Sequence, residues 1–366
     1  MKTIFSTTTS ILKLIFKFVF FIILAIFIFV AVFFGVLTIT EFNPDAEETL
    51  EVTNQDSMKS ISLGDSVDIV TWNIGYCGLS KTADFFMDGG TSVRSQDEES
   101  VINNLETIGT KLKALDSDVI YLQEVDHDCT RTYGIAEDTT LEERLSSYGS
   151  VFAKNFDVLY IPYPIPPMGH MYAGILTLSK YEITDATRVQ LPCPFSWPYR
   201  LGNLKRCLSI SRVPIENSDK EFVFVNLHLE AYDDGEGKAA QTALLADYIQ
   251  SEYDKGNYVV AGGDFNQTFS SVDTSAYPLQ SEDLWMCGTL NEDDFSDNWQ
   301  FAMDNSTPTC RSLDRAYDSS DEAFQFYMID GFIVSDNLTI NSIETIDEGF
   351  ENTDHNPVEL NVTIQE

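Results

Sequence analysis

The sequence predicts an α/β (α+β) fold in which two mixed β-sheets pack on each other with helices outside, preceded by one N-terminal transmembrane helix. Three observations predict it. Residues 18–40 carry no charged side chain, short runs rich in Val, Ile and aromatics recur through the rest of the chain, and amphipathic helical stretches lie between those runs.

Residues 1–17 form a short N-terminus holding Lys2, Lys13 and Lys17, and "FVFFIILAIFIFVAVFFGVLTIT" over residues 18–40 is long enough to cross a bilayer as a helix. Glu41, Asp45, Glu47 and Glu48 follow it. The lysine bias therefore keeps the N-terminus cytoplasmic and places the rest outside, in a single-pass arrangement. A cleaved signal peptide is the competing reading, but the run exceeds a usual h-region and no A-x-A-like site closes it. Residues 41–66 are acidic and polar with little periodicity and read as a tether. Residues 67–366 then read as one domain, with no repeat and no second linker.

Within that domain "VDIVTW", "DVIYLQ", "AGILTLS", "CLSISRVPI", "EFVFVNLHL", "NYVVAGG", "FYMIDGFIV" and "VELNVTI" read as strands. "SQDEESVINNLETIGTKLKAL" sets Val101, Ile102, Leu105, Ile108, Leu112 and Leu115 on one helical face, with Ser95 and Glu98 spaced as a capping box. "GKAAQTALLADYIQSEY" is a second amphipathic helix.

All 58 acidic residues lie after residue 40, against 19 of the 22 Lys and Arg, a net charge of −39 on the part placed outside. A protein that binds by neutralising many phosphates needs basic stripes, and none is visible, so tight polyanion binding is not expected. The six cysteines show no C-x-x-C spacing, which argues against a zinc or thioredoxin-like site. Cys193 and Cys207 flank a Pro-rich loop and are the favoured disulfide pair.

The informative pattern is a specific polar residue at or just beyond the end of several apolar runs: Asn73, Glu124, Asn226 with His228, Asp264 with Asn266, Asp330, and Asp354 with His355. A polar group at a buried strand end costs free energy unless it is paired, and the set coheres if all converge on one site. Carboxylate and amide oxygens suit a hard cation such as Mg²⁺. A carboxylate that orients water, with imidazoles that stabilise developing charge, suits attack on a phosphate ester.

In order, "TWNIG", "YLQEV", "NLHLEA", "GGDFN", "MIDGFIVS" and "TDHNPV" resemble the motifs of the endonuclease/exonuclease/phosphatase (DNase I-like) superfamily, over roughly residues 67–364 and in the manner of a membrane-anchored bacterial member. The resemblance implies a four-layer sandwich and a divalent-metal-dependent hydrolase of phosphodiesters or phosphomonoesters. Residue by residue it implies that Asn73 and Glu124 serve the metal, Mg²⁺ or Mn²⁺, that Asp354 contributes to the metal site or positions its neighbour, and that Asp264 with Asn266 orients the attacking water and phosphate. It implies that His228 stabilises or protonates phosphate and leaving group, that Asp330 orients and charges a catalytic histidine, and that His355 binds the scissile phosphate.

One departure is Gly75, where some members carry an acid two residues after the first-motif Asn. The substrate class stays open among lipid head groups, nucleotides, sugar phosphates and nucleic acid. A nuclease of the same superfamily and a non-catalytic surface binding module are the alternatives. His127 lies close enough to Glu124 in sequence to reach the site mouth, and "LPCPFSWPYRLGNLKR" could form a substrate rim in which Arg206 meets a phosphate and Trp197 an apolar or ring moiety. "DDGEGKAAQ" lacks the first glycine and the Ser/Thr of a phosphate loop and reads as a loop feeding a helix.

Overall fold

The computed structural model describes residues 2–53, 58–233 and 235–365. One sheet has seven strands in the order β1 (Glu47–Thr49), β6 (Asp185–Gln190), β7 (Cys207–Pro214), β8 (Glu221–His228), β9 (Tyr258–Asp264), β15 (Asp330–Ser335) and β12 (Trp299–Ala302). The other has six, in the order β16 (Leu338–Thr345), β17 (Val358–Ile364), β2 (Ser66–Asn73), β3 (Val119–Asp126), β5 (Gly169–Ser179) and β4 (Gly149–Ile161). Two short pairs, β10 (Gln267–Phe269) with β11 (Gly288–Leu290) and β13 (Cys310–Arg311) with β14 (Phe326–Tyr327), complete the strands. Both large sheets are mixed, since β2 runs parallel to β3 and β8 parallel to β9 while the remaining pairings within them are antiparallel.

The four expected layers are present. Val67, Ile69, Val119, Tyr121, Phe222, Phe224, Val260, Phe332 and Leu360 pack between the sheets. Leu245 and Ile249 of helix α4 (Glu236–Asp254) cover the outer face of the seven-stranded sheet through Val223, Val225 and Val259. Helix α2 (Glu98–Leu115), with Leu141 of α3 (Glu137–Arg144), covers the other through Val70, Trp72, Ile120 and Leu122. Strands buried on both faces lose the polar alternation of half-exposed ones, which is why their sequences read as continuous apolar runs.

Four local differences from the sequence reading have physical reasons. Helix α2 is capped by Asp97, whose carboxylate accepts from Ser100 N at 2.8 Å, rather than by Ser95, which is buried upstream. Of its expected apolar face Ile102 is exposed, while Val101, Leu105, Ile108 and Leu112 are buried. In the stretch read as a tether, described residues pack on the domain: β1 adds an antiparallel edge strand to β6, and Ile61 is fully buried and bridged to Ile215. The Cys193–Cys207 disulfide is not formed: all six cysteines are free, with Cys207 buried within β7 and Cys193 only partly buried.

Helix α1 (Lys2–Ile39) contains an apolar stretch, Leu12–Ile39, long enough to cross a membrane and left uncovered by the domain except near its end, where Leu37 is buried.

At the end of β9, Gly263 has φ +149°, and a Cβ there would lie 1.9 Å from the Leu227 carbonyl oxygen of the neighbouring parallel strand. Backbone cannot yield as a flexible side chain does. Gly263→Ala is therefore expected to destabilise the domain by about 3 kcal/mol or more, read as a lowered unfolding transition by circular dichroism. A wild-type transition would show that β8 and β9 part without cost.

Candidate active site

Strand periodicity gathers the polar strand ends. Val67 and Ile69 of β2, Phe222 and Phe224 of β8, Val260 of β9 and Phe332 of β15 all face the space between the sheets. Counting by twos along each strand puts Asn73, His228, Asp264 and Asp330 on that same inner face, at the strand ends where the sheets part. Pairing aligns them further, because His228 is the register partner of Asp264 on one side and Asp330 its partner on the other. Glu124 has the wrong parity. A bulge between Leu122 and Val125, with Glu124 at φ +54°, turns its side chain into the cleft instead.

The chain returns to this edge just before β17. Trp72 donates from its indole to the His355 carbonyl at 2.9 Å, and Thr353 Oγ1 donates to the Asn73 carbonyl at 3.1 Å, so "TDHNPV" is fastened to the end of β2. His355 Nδ1 lies 2.8 Å from Asp330 Oδ2, and its Nε2 lies 3.9 Å from both Asp264 Oδ2 and Asp354 Oδ2. His228 Nε2 approaches Asp264 Oδ2 at 3.4 Å from the other side.

Asp264 accepts from Asn266 N at 2.8 Å and from Asn73 Nδ2 at 3.0 Å. Asn73 also reaches Glu124 Oε1 at 3.4 Å with the same nitrogen, while its oxygen accepts from Gly75 N at 3.0 Å. As arranged, Asn73 therefore braces the two carboxylates. Asn266, at φ +51°, anchors its loop by donating to Leu229 O at 2.9 Å.

Charge states follow from these surroundings. Burial pushes the Asp264 carboxyl up, Asp330 adds to this, and with His355 and the Asn73 and Asn266 donors opposing, its pKa stands at about 7. Burial opposes charge on His355, but Asp330, Cys310 and Asp354 outweigh it and hold the imidazole well above its usual pKa. His228 goes the other way: burial, then Arg206 and His355, keep it neutral. Its Nδ1 is buried without a partner. One ring is thus poised as an imidazolium and the other as neutral imidazole at a shared carboxylate.

The donor set fits a divalent cation. Glu124 is raised by burial and, opposed by Arg131, by the neighbouring negative charge of Asp354, a repulsion that a cation between them would relieve. Among the described residues, Asp264–Asp330–His355 and Cys310–Asp354–His355 have ligand atoms within 4.8 Å of one another. At Gly75 the backbone has φ +50°, and a Cβ would meet Asp354 Oδ1 at 2.7 Å and Thr353 Oγ1 at 2.9 Å. A carboxylate at this position, present in some members, would collide with Asp354.

Several cleft residues escaped the sequence reading. Arg131 grips Asp126 through two nitrogens at 3.0 and 2.8 Å and lies 3.6 Å from the Tyr76 ring centre on the cleft wall. Arg311 lines the same cleft while donating to the carbonyls of Leu79, Ser80 and Ser312. An isolated arginine carries no sequence signal for a buried wall. Arg206 does line the cleft, 3.4 Å from Glu230 and 3.2 Å from the His228 carbonyl, whereas Trp197 turns to α1. His127 stays off the cleft, 2.8 Å from Asp138. Asn226 is structural, tying β8 to the opposite sheet through Gln123, Leu122 O and Leu176 O.

The polar groups of this mixed two-sheet fold gather at one open edge, and the sequence profile of the Endonuclease/Exonuclease/phosphatase family matches residues 70–355, so the chain belongs to that family. No curated protein matches the sequence. Among solved structures, an endonuclease/exonuclease/phosphatase from Beutenbergia cavernae is similar at 16% identity and a TM-score of 0.56, over 82% of this chain and 72% of that one. A family protein from Bacteroides vulgatus is similar at 16% identity and a TM-score of 0.53, over 82% of this chain and all of that one. TDP2 from D. rerio, solved with a single-strand DNA product, is similar at 15% identity and a TM-score of 0.50, over 82% and 99%. At these identities the likeness concerns the fold.

Proposed function

We propose that the protein is a divalent-metal-dependent phosphoesterase that hydrolyses phosphate esters outside the cytoplasm. The observation that carries this reading is Asp264, a carboxylate with its pKa near 7 set within 4 Å of two histidines of opposite protonation preference. Such a group can orient a water and accept its proton at neutral pH.

Glu124 and Asp354 would hold Mg²⁺ or Mn²⁺, with Asn73 keeping the carboxylates in place. When bound, the ion supplies positive charge at the phosphate oxygens. His355, held as an imidazolium by Asp330, donates to a phosphoryl oxygen as charge develops there. Neutral His228, whose Nε2 faces Asp264 at 3.4 Å, is the group offered to the phosphate or leaving group, and Asn266 fixes the loop that presents Asp264. The N-terminal lysines and the apolar α1 support an outside location.

The cations around the cleft do not favour a nucleic-acid grip. Arg131, Arg206 and Arg311 are engaged with Asp126, Glu230 and backbone carbonyls respectively. A small or membrane-presented phosphate ester fits this better than a long polyanion. A panel of phosphodiester, phosphomonoester and single-stranded DNA substrates tests the reading. Turnover of a small diester or monoester is expected; degradation of DNA alone would favour the nuclease reading, and turnover of none would favour a binding module.

A pH profile checks the His355 assignment. Asp330 raises the His355 pKa, so Asp330→Asn lowers it, and activity that requires the imidazolium is lost at a lower pH on the alkaline side. An alkaline limb that does not move in Asp330→Asn would remove this protonation state from the mechanism.

A further inference from the structure

The apolar stretch Leu12–Ile39 is 28 residues, about 42 Å of helix against a hydrocarbon core of about 30 Å. With Lys13 and Lys17 at the cytoplasmic head groups, the uncharged run over residues 18–40 fills the core and its last turn reaches the opposite head-group level. That is where the domain is joined to it. Trp197 donates from its indole to Thr38 Oγ1 at 3.1 Å, its ring lies 5.9 Å from that of Phe34, and Leu37 is buried. Glu41, just beyond the helix, pairs with Arg200 at 3.2 Å and Lys205 at 3.1 Å.

From this joint a band of exposed apolar side chains runs along one edge of the domain. Trp197 is 53% exposed and Tyr199 75%. The turn Tyr199–Gly202 packs on β4, with Gly202 against Ile161, and the neighbouring end of β4 exposes Leu159 and Tyr160. The β4–β5 connection then carries Tyr163 at 70% and Ile165 at 91% exposure. This connection is held in place, because Arg94 donates through two nitrogens to Pro167 O at 3.1 and 2.6 Å.

We propose that this band is a bilayer-docking rim that beds in the leaflet beside α1, an inference that rests on reading α1 as a spanning helix. Continuity with α1 identifies the occupant: the lipid against Phe34 and Thr38 is the lipid that Trp197 and Tyr199 meet. Trp and Tyr are the side chains that head-group level favours, having an apolar body and a polar tip. Arg200 and Lys205 are committed to Glu41 and the domain is strongly acidic, so docking is apolar and insensitive to salt. Gly202, Asn203, Leu204 and Met168, along the same edge, line the cleft, so the rim holds its mouth at the membrane surface.

The full-length chain is reconstituted in phosphatidylcholine vesicles with and without bromine on the acyl chains, and tryptophan fluorescence is read. Trp72 and Trp299 are buried and Trp285 is half-buried, so Trp197 is the exposed reporter. Bromolipid should quench the wild type equally at low and high salt. The quenched component should be at least halved in Trp197→Phe and return when Ile165→Trp is added to that variant. Release of the protein from vesicles by alkaline carbonate would overturn the spanning reading and the rim with it. Carbonate-resistant protein with no bromolipid quenching, whether iodide reaches Trp197 or a second copy shields it, would overturn the rim alone.

Discussion

Glu124→Gln is expected to leave a folded protein whose turnover is reduced on the order of 10³-fold, the equivalent of the several kcal/mol a bound Lewis acid contributes. The substitution keeps the side-chain shape and the bulge that aims it, and it removes only charge. Because the charge of Asp354 raises the cost of ionising Glu124 in the cleft, a cation there is favoured by both carboxylates, and losing one charge also weakens the site for it. Activity measured across a Mg²⁺ or Mn²⁺ titration should therefore need far more metal to reach its reduced maximum. Unchanged metal dependence in a folded Glu124→Gln would move the ion elsewhere.

His355→Ala is expected to lower kcat and kcat/KM together by about 10²-fold or more, as loss of one donor at a developing charge does. The effect belongs to chemistry rather than folding. The motif is fastened through the His355 carbonyl to Trp72 and through Thr353 to Asn73, and neither bond uses the imidazole. The variant does leave Asp330 and Asp264 facing each other without a cation, so some loss of stability accompanies it. Kinetics normalised to folded protein by circular dichroism separate the two, and near-wild-type kcat would reduce the Asp354–His355 pair to a turn.

Much of this was legible from the sequence, for a reason visible in the strands. Because both faces of the central strands are buried, each polar residue ending an apolar run stood out; in the folded sheets the period of two then places Asn73, His228, Asp264 and Asp330 on one face. Glu124 broke that count, since a bulge with a positive φ has no signature in an ordinary "LQEVD". Helix α3 was not read because its eight residues include one apolar side chain, Leu141, and the helix is held through buried Glu137, which accepts from Asp126 N at 2.8 Å. The stretch over residues 41–66 looked like a tether because edge-strand pairing is made by backbone, which composition does not report. Arg131 and Arg311 were missed for a related reason. Their partners are one aspartate and a set of carbonyls that only the folded chain brings to the cleft wall.

The most direct test of the metal-dependent phosphoesterase is to strip the purified full-length protein exhaustively with chelator and assay it on a phosphodiester reporter before and after Mg²⁺ or Mn²⁺ is returned. Activity is expected to fall to background on stripping, to return with either ion, and to fail to return in Glu124→Gln at metal concentrations that restore the wild type. Full activity surviving exhaustive chelation would contradict the metal-dependent reading.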